Sequence, residues 1–142
     1  MLLRYAWRSS RTQSDVDFFY DAYENAIRKV GEKNALLSNS FHEISIKLSA
    51  IHPRYDAMKE KRVMSELLER TYQLCVQSAA QDIALTIDAE EQDRLEISLK
   101  IIEELSKRKE IKDWGGLGLA IQAYGKRAPV IVDFIDELGS LR

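Results

Sequence analysis

In three separate segments of this chain every other residue is a large aliphatic: Ile44-Ser45-Ile46-Lys47-Leu48, Ile83-Ala84-Leu85-Thr86-Ile87-Asp88 and Leu117-Gly118-Leu119-Ala120-Ile121-Gln122. The residues between are small until Lys47, Asp88 or Gln122 closes the run. Side chains alternate across a strand, so each segment reads as a strand with one aliphatic face and one face of small and polar groups. Parallel strands covered by helices on both sides normally carry apolar side chains on both faces. A face of Ser, Ala, Thr and Gly ending in charged and amide groups therefore asks for another arrangement. A closed barrel that holds a ligand at one mouth supplies it.

The intervening stretches read as amphipathic helices. Thr12 and Ser14, with Asp15 and Asp17, place hydroxyls and acids where the free amides and the dipole of a helix N-terminus favour them. Val16, Phe19, Tyr20, Tyr23, Ile27 and Val30 follow at helical spacing and Gly31 supplies a stop, so the first helix is expected over 12–31 and a loop over 32–41. A second helix over 58–80 turns Met64, Leu67, Leu68, Thr71, Leu74, Cys75 and Ser78 inward. A third, over about 90–107, buries Leu95, Leu99, Ile102 and Leu105. A fourth starts at Ala128-Pro129 and buries Ile131, Phe134, Ile135 and Leu138 before Gly139.

Strands alternating with helices imply parallel pairing through right-handed crossovers. The strand starts at Ile44, Ile83 and Leu117 recur at somewhat more than the roughly 30 residues of one unit in an eight-unit barrel. The expected fold class is therefore α/β, a partial (β/α)8 barrel of about four strand-helix units. Its segments are a short first-strand region over 1–11, the helix over 12–31 and three strand-helix units over 42–142.

Composition narrows the partners. A formal net charge of -2 and a pI near 5.8 give no basic field, which argues against nucleic acid as the main partner. No apolar run approaches the roughly 18 residues of a membrane span, and the start lacks a secretory h-region, so a cytoplasmic location is expected. Cys75 is the lone cysteine, and neither His42 nor His52 has a second ligand at metal spacing, so no metal site is expected. The His52-Pro53-Arg54-Tyr55 stretch reads as a positioned loop. Tyr124-Gly125-Lys126-Arg127, just before a helix N-terminus, reads equally as a phosphate-facing turn or a solvated loop.

Catalytic groups of such barrels lie at the C-terminal ends of the strands, where Lys47, Asp88 and Gln122 all stand with matching parity. Lysine there pairs with an anionic substrate group, aspartate orients a cation or hydroxyl, and glutamine offers a donor and an acceptor to a planar ring edge. Any one of them alone would read as a solvated strand end. In the acidic run from Asp88 to Arg94, a surface pair between Glu90 and Arg94 and a helix N-terminus account for most of the charges, and only Asp88 lies on strand parity.

Three stretches carry a resemblance. Ser45-Ile46-Lys47-Leu48-Ser49-Ala50-Ile51-His52-Pro53-Arg54-Tyr55 resembles the second strand and following loop of the flavin-dependent proline dehydrogenase domain of bacterial bifunctional proline utilization proteins. Thr86 to Glu91 with Asp93 to Glu96 resembles that family's third strand and helix. Gly116 to Tyr124 with Lys126-Arg127-Ala128-Pro129 resembles its fourth. The resemblance runs from about Thr12 to Arg142.

It implies a (β/α)8 barrel that binds FAD and oxidises L-proline to 1-pyrroline-5-carboxylate by hydride transfer to the flavin, in proline catabolism to glutamate. Electrons would pass to a membrane quinone, and the full-length protein would be peripheral to the inner membrane. By position, Lys47 would hold the proline carboxylate, Asp88 would lie in the substrate and flavin pocket, Gln122 would hydrogen-bond the isoalloxazine, and Ala89 would line the flavin.

The departures are equally specific. The family's later strands and helices, with the arginines that clamp the carboxylate, have no counterpart here, nor does the aldehyde dehydrogenase half. The chain is therefore expected to be inactive alone. The alternative is a non-catalytic half-barrel whose open edges lead it to self-associate or bind a partner. The family's first strand runs into Tyr-Asp-Met-Leu-Gly-Glu-Ala, whereas this chain reads Tyr5-Ala6-Trp7-Arg8-Ser9-Ser10. A local reading-frame slip would account for that difference.

Overall fold

The computed structural model describes residues 10–36, 42–53, 60–90 and 94–140. The divergent start over residues 1–9 lies outside them, as do Arg54, Tyr55 and residues 91–93 of the acidic run. Among the described residues, five helices and three strands follow in the order α1 (Gln13–Leu36), β1 (Ile44–Lys47), a 3₁₀ turn (Leu48–Ala50), α2 (Glu60–Ala80), β2 (Leu85–Asp88), α3 (Leu95–Ser106), α4 (Lys109–Lys112), β3 (Leu117–Ala120) and α5 (Ala128–Ser140).

A reciprocal cap starts α1. The Asp15 N–H donates to Thr12 Oγ1 at 3.1 Å, while Asp15 Oδ2 accepts the N–H groups of Arg11 and Thr12 at 3.0 and 2.9 Å. These amides, that of Arg11 first, hold the Asp15 carboxyl below its ordinary pKa. The expected stop at Gly31 is not found, because α1 continues to Leu36. Gly31 serves packing instead: a β-carbon there would stand 1.7 Å from Gln81 Oε1 and 3.2 Å from Gln81 Cβ. The Gln81 side chain, just past the end of α2, lies across this glycine in space a β-carbon would claim.

The strands form one parallel sheet in the order β1-β2-β3. Ile44 pairs with Leu85 and Leu85 with Leu117, and the register continues to Lys47, Asp88 and Ala120. In-register pairing puts the aliphatic parity of all three strands on one side. Ile46, Leu85 and Ile87 are fully buried there, in one core with Val63, Leu67, Leu74 and Cys75 of α2 and Ile97, Ile101 and Leu105 of α3. Burying one such aliphatic side chain stabilises by about 1.5–3 kcal/mol. The opposite side carries Ser45, Lys47, Thr86, Asp88, Gly118 and Ala120, all half-buried or exposed. The two-faced sheet expected from parity is present, and the architecture is α/β.

Four expectations shift. Helix α3 starts at Leu95 rather than near residue 90, and its buried side includes Ile97, Ser98 and Ile101, with Leu99 only half-buried. The short α4, pinned by the fully buried Ile111, adds a turn before β3. Strand β3 ends at Ala120, two residues before Gln122. Gly139 lies within α5 rather than ending it. Helix α5 buries Ile131 against Ala89 and Leu95, leaves Phe134, Ile135 and Leu138 half-buried, and exposes Val130 and Val132.

Candidate functional site

At the C-terminal edge of the open sheet face, Lys47 and Asp88 are register partners on neighbouring strands, which run about 4.8 Å apart. Both are half-buried. Ser45, on the same face of β1, donates its hydroxyl to Asp88 Oδ1. Just past the strand ends, Ser49 donates its N–H to Glu90 Oε2 at 3.0 Å and its hydroxyl to Glu90 Oε1 at 2.5 Å. Two serine-to-carboxylate links therefore bracket Lys47 along the face.

Tyr23 of α1 closes the outer edge of β1, where its hydroxyl accepts the Lys47 N–H at 3.1 Å. Its phenol is held above the ordinary tyrosine pKa, first by burial, with Asp88 and Glu90 adding to the effect and the Lys47 N–H opposing it. The phenol is neutral at physiological pH.

On the β3 side the face is shallow. A β-carbon on Gly118 would come within 3.0 Å of Thr86 Oγ1, and Ala120 is exposed. Gln122 is exposed beyond the strand end, and its Oε1 accepts the Tyr124 hydroxyl at 2.8 Å. Ala89 lies on the other parity. Its N–H extends the ladder to the Ala120 carbonyl at 2.8 Å, and its methyl is buried with Leu95 and Ile131. The structure thus brings Lys47 and Asp88 together, sets Gln122 one strand away at the same end, and turns the Ala89 side chain toward the helices.

Tyr23, Ser45, Ser49 and Glu90 are the site-edge residues that sequence reasoning missed. Tyr23 was visible only as one member of a buried helical stripe. Glu90 was assigned a helix-surface pair with Arg94, but α3 begins after both residues and the carboxylate is held by Ser49. The parity of Ser45, Lys47 and Ser49 against Asp88 and Glu90 was the signal available.

A second polar cluster lies beyond β1. His52 is only 3% exposed, and its Nε2 sits 3.2 Å from Glu66 Oε2, while Glu66 Oε1 accepts Arg62 Nε at 2.8 Å. Burial lowers the His52 pKa more than Glu66 raises it, and Arg62 chiefly lowers that of Glu66. Arg70 donates to the Ile51 carbonyl at 2.8 Å. His52, Glu66 and Arg62 join Arg11, Thr12, Gln13, Pro53 and Val63 around a cleft of about 380 Å³. The imidazole is thus a positioned, paired group. In the Tyr124 to Arg127 turn, Gly125 donates to the Gln122 carbonyl at 2.9 Å and Arg127 reaches Glu96 at 3.5 Å.

Chemically, the C-terminal end of the open face offers an ammonium and two hydrogen-bonded carboxylates, with a neutral phenol at the outer edge of β1. That set suits a small ligand carrying opposite charges close together.

Comparison with known proteins gives one consistent family. The family model described as proline dehydrogenase matches residues 1–140. Bifunctional protein PutA of Salmonella typhimurium (strain LT2) is 43% identical over 132 residues, covering 91% of this chain and 10% of that protein. Bifunctional protein PutA of Rhizobium meliloti is 44% identical over 131 residues, covering 92% of this chain. Among solved structures, a crystal structure of bifunctional proline utilization A (PutA) superposes with a TM-score of 0.85 at 40% identity, over 94% of this chain and 14% of that one. The chain spans about a tenth of the length of the curated relatives it matches.

Proposed function

Because the chain belongs to the proline dehydrogenase family, we propose that its open sheet face is the substrate and flavin side of an FAD-dependent proline dehydrogenase. In this reading the three parallel strands are part of a (β/α)8 barrel. Its segments are the first-strand region over 1–11, the helix over 12–31 and three strand-helix units over 42–142. The reaction is the oxidation of L-proline to 1-pyrroline-5-carboxylate.

The observation that carries the reading is the Lys47–Asp88 rung at the C-terminal end of the polar face. L-Proline carries its carboxylate and its secondary amine on one carbon. Lys47 binds the carboxylate, and Asp88, oriented by Ser45, attracts the amine end and fixes the ring against the sheet. Holding a reactant in one orientation can supply roughly 7–11 kcal/mol of a barrier, so a partial clamp on the substrate forfeits rate.

The face also suits a flat ring system. Gly118 and Ala120 leave the β3 side low, and a β-carbon at Gly118 would press on Thr86. Gln122, with its carbonyl engaged by Tyr124, has its amide N–H groups to donate to a ring edge. Ala89 contributes backbone there, since its methyl is in the core. When bound, the flavin supplies the hydride acceptor.

No helix among the described residues is long and apolar enough to cross a membrane. A quinone at the membrane is the proposed final electron acceptor, reached by the full-length protein as a peripheral partner of the inner membrane.

Calorimetric titration of L-proline into the FAD-mixed chain tests it. Lys47→Ala is expected to weaken proline binding by roughly 10- to 100-fold, as for loss of a hydrogen bond to a charged group, and to leave quenching of flavin fluorescence intact. Equal proline affinity in the variant, or no binding of either ligand by the unsubstituted chain, would overturn the reading.

A further inference from the structure

Successive N–H groups of a strand point to opposite edges. Ile44 donates its N–H to the Ala84 carbonyl on the β2 side at 2.9 Å, so Ile46 also faces β2 while Ser45 and Lys47 face the outer edge of the sheet. An N–H at such an edge, half-buried and with no strand of the described residues beside it, takes an acceptor from elsewhere. The Lys47 N–H finds one in Tyr23, which reaches across from the middle of α1 with a hydroxyl at 3.1 Å.

Two features suit that hydroxyl to the position. Its ring is anchored among the core side chains, with neighbours Tyr20, Ala26 and Val30 on the same side of α1. The phenol is also within electrostatic reach of Asp88 and Glu90, so its hydroxyl lies near the charged C-terminal ends of β1 and β2. Being neutral, it accepts from Lys47 and keeps its own O–H.

We propose that Tyr23 is a positioning residue for Lys47: by holding the Lys47 N–H at the outer edge of β1, it fixes the backbone from which the ammonium meets a substrate carboxylate. The inference rests on the proposed proline site for its consequence, and on the hydrogen bond alone for its cause.

Tyr23→Phe removes only the oxygen and keeps the ring. Tyr20→Phe is the control, since that phenol lies beside Glu24, Arg70 and Glu69 rather than β1. In the full chain, Tyr23→Phe is expected to speed hydrogen exchange of the Lys47 amide by at least about tenfold and leave that of Ile46 unchanged. In the FAD-mixed chain it is expected to weaken L-proline binding roughly three- to tenfold, and Tyr20→Phe moves neither quantity.

Unchanged exchange at Lys47 overturns the proposal. Faster exchange with unaltered proline affinity also overturns it and leaves Tyr23 as a strand cap. If the unsubstituted chain binds no proline, the functional reading falls and Lys47 exchange alone decides the role of Tyr23. Should Tyr23→Phe fail to fold, a nuclear Overhauser contact between the Lys47 amide and the Tyr23 ring in the unsubstituted chain supports the proposal, and its absence contradicts it.

Discussion

Ser45 and Ser49 flank Lys47 on one chain segment, and the carboxylates they hold, Asp88 and Glu90, flank Ala89 on the next. The alternation keeps both acids fixed by hydroxyls, so an incoming charged group meets oriented carboxylates rather than mobile ones. The same economy appears at His52, where a buried imidazole is kept neutral beside Glu66. Its folded pKa lies below its unfolded value, near 6.5. The unfolded chain therefore binds this proton more readily, and the contribution of neutral His52 to stability is full above that value and is lost as pH falls from it toward the lower folded pKa. Urea unfolding should show less stability at pH 5.5 than at pH 7.5, and His52→Gln should flatten the difference. Glu66 and Asp15, with lowered carboxyl pKa values, lose their contribution only in the acid range below the ordinary carboxylate value, so they leave this window to His52.

Helix ends show which local signals speak plainly. Helix α2 stops where Ile83 donates to the Ser78 carbonyl at 3.0 Å and Asp82 to Ala79 at 3.1 Å, with Asp82 in the left-handed region at φ 52°. Glycine adopts that conformation without the penalty of a β-carbon, so Asp82→Gly should stabilise the chain by about 0.5–1 kcal/mol, read as a higher urea midpoint at constant slope. The stripe of α2 was legible because Leu67, Thr71, Leu74, Cys75 and Ser78 recur at helical spacing, and all five are buried. The run of α1 through Gly31 was not legible, because a glycine inside a helix carries the same local signal as one at its end, and the Gln81 side chain that lies across it is fifty residues away in sequence. Helix α4 escaped for a simpler reason: one turn with one buried residue has no period to detect. At the site, Lys47 and Asp88 were legible from parity, whereas the Tyr23 and Glu90 bonds depend on how α1 and the β2 exit meet β1.

The whole molecule separates a sealed side from an open one. All of the sealed side lies between the sheet and its helices, where Cys75 is fully buried and desolvation pushes its thiol up to about 12. An aromatic disulfide reagent should therefore modify Cys75 only at the rate of unfolding, independent of reagent concentration when reagent is in excess; fast modification of the native chain would mean that α2 is loosely packed. The open side carries Ser45, Lys47, Thr86, Asp88, Gly118 and Ala120, the face proposed to bind proline and flavin. The direct test is a nitrogen-15 amide spectrum of the chain titrated with FAD and then L-proline. Saturable shifts clustered at Ser45, Lys47, Asp88, Ala120 and Gln122 are the predicted result. Shifts confined to the His52 cleft or the helical side, or none on the strands, would contradict it.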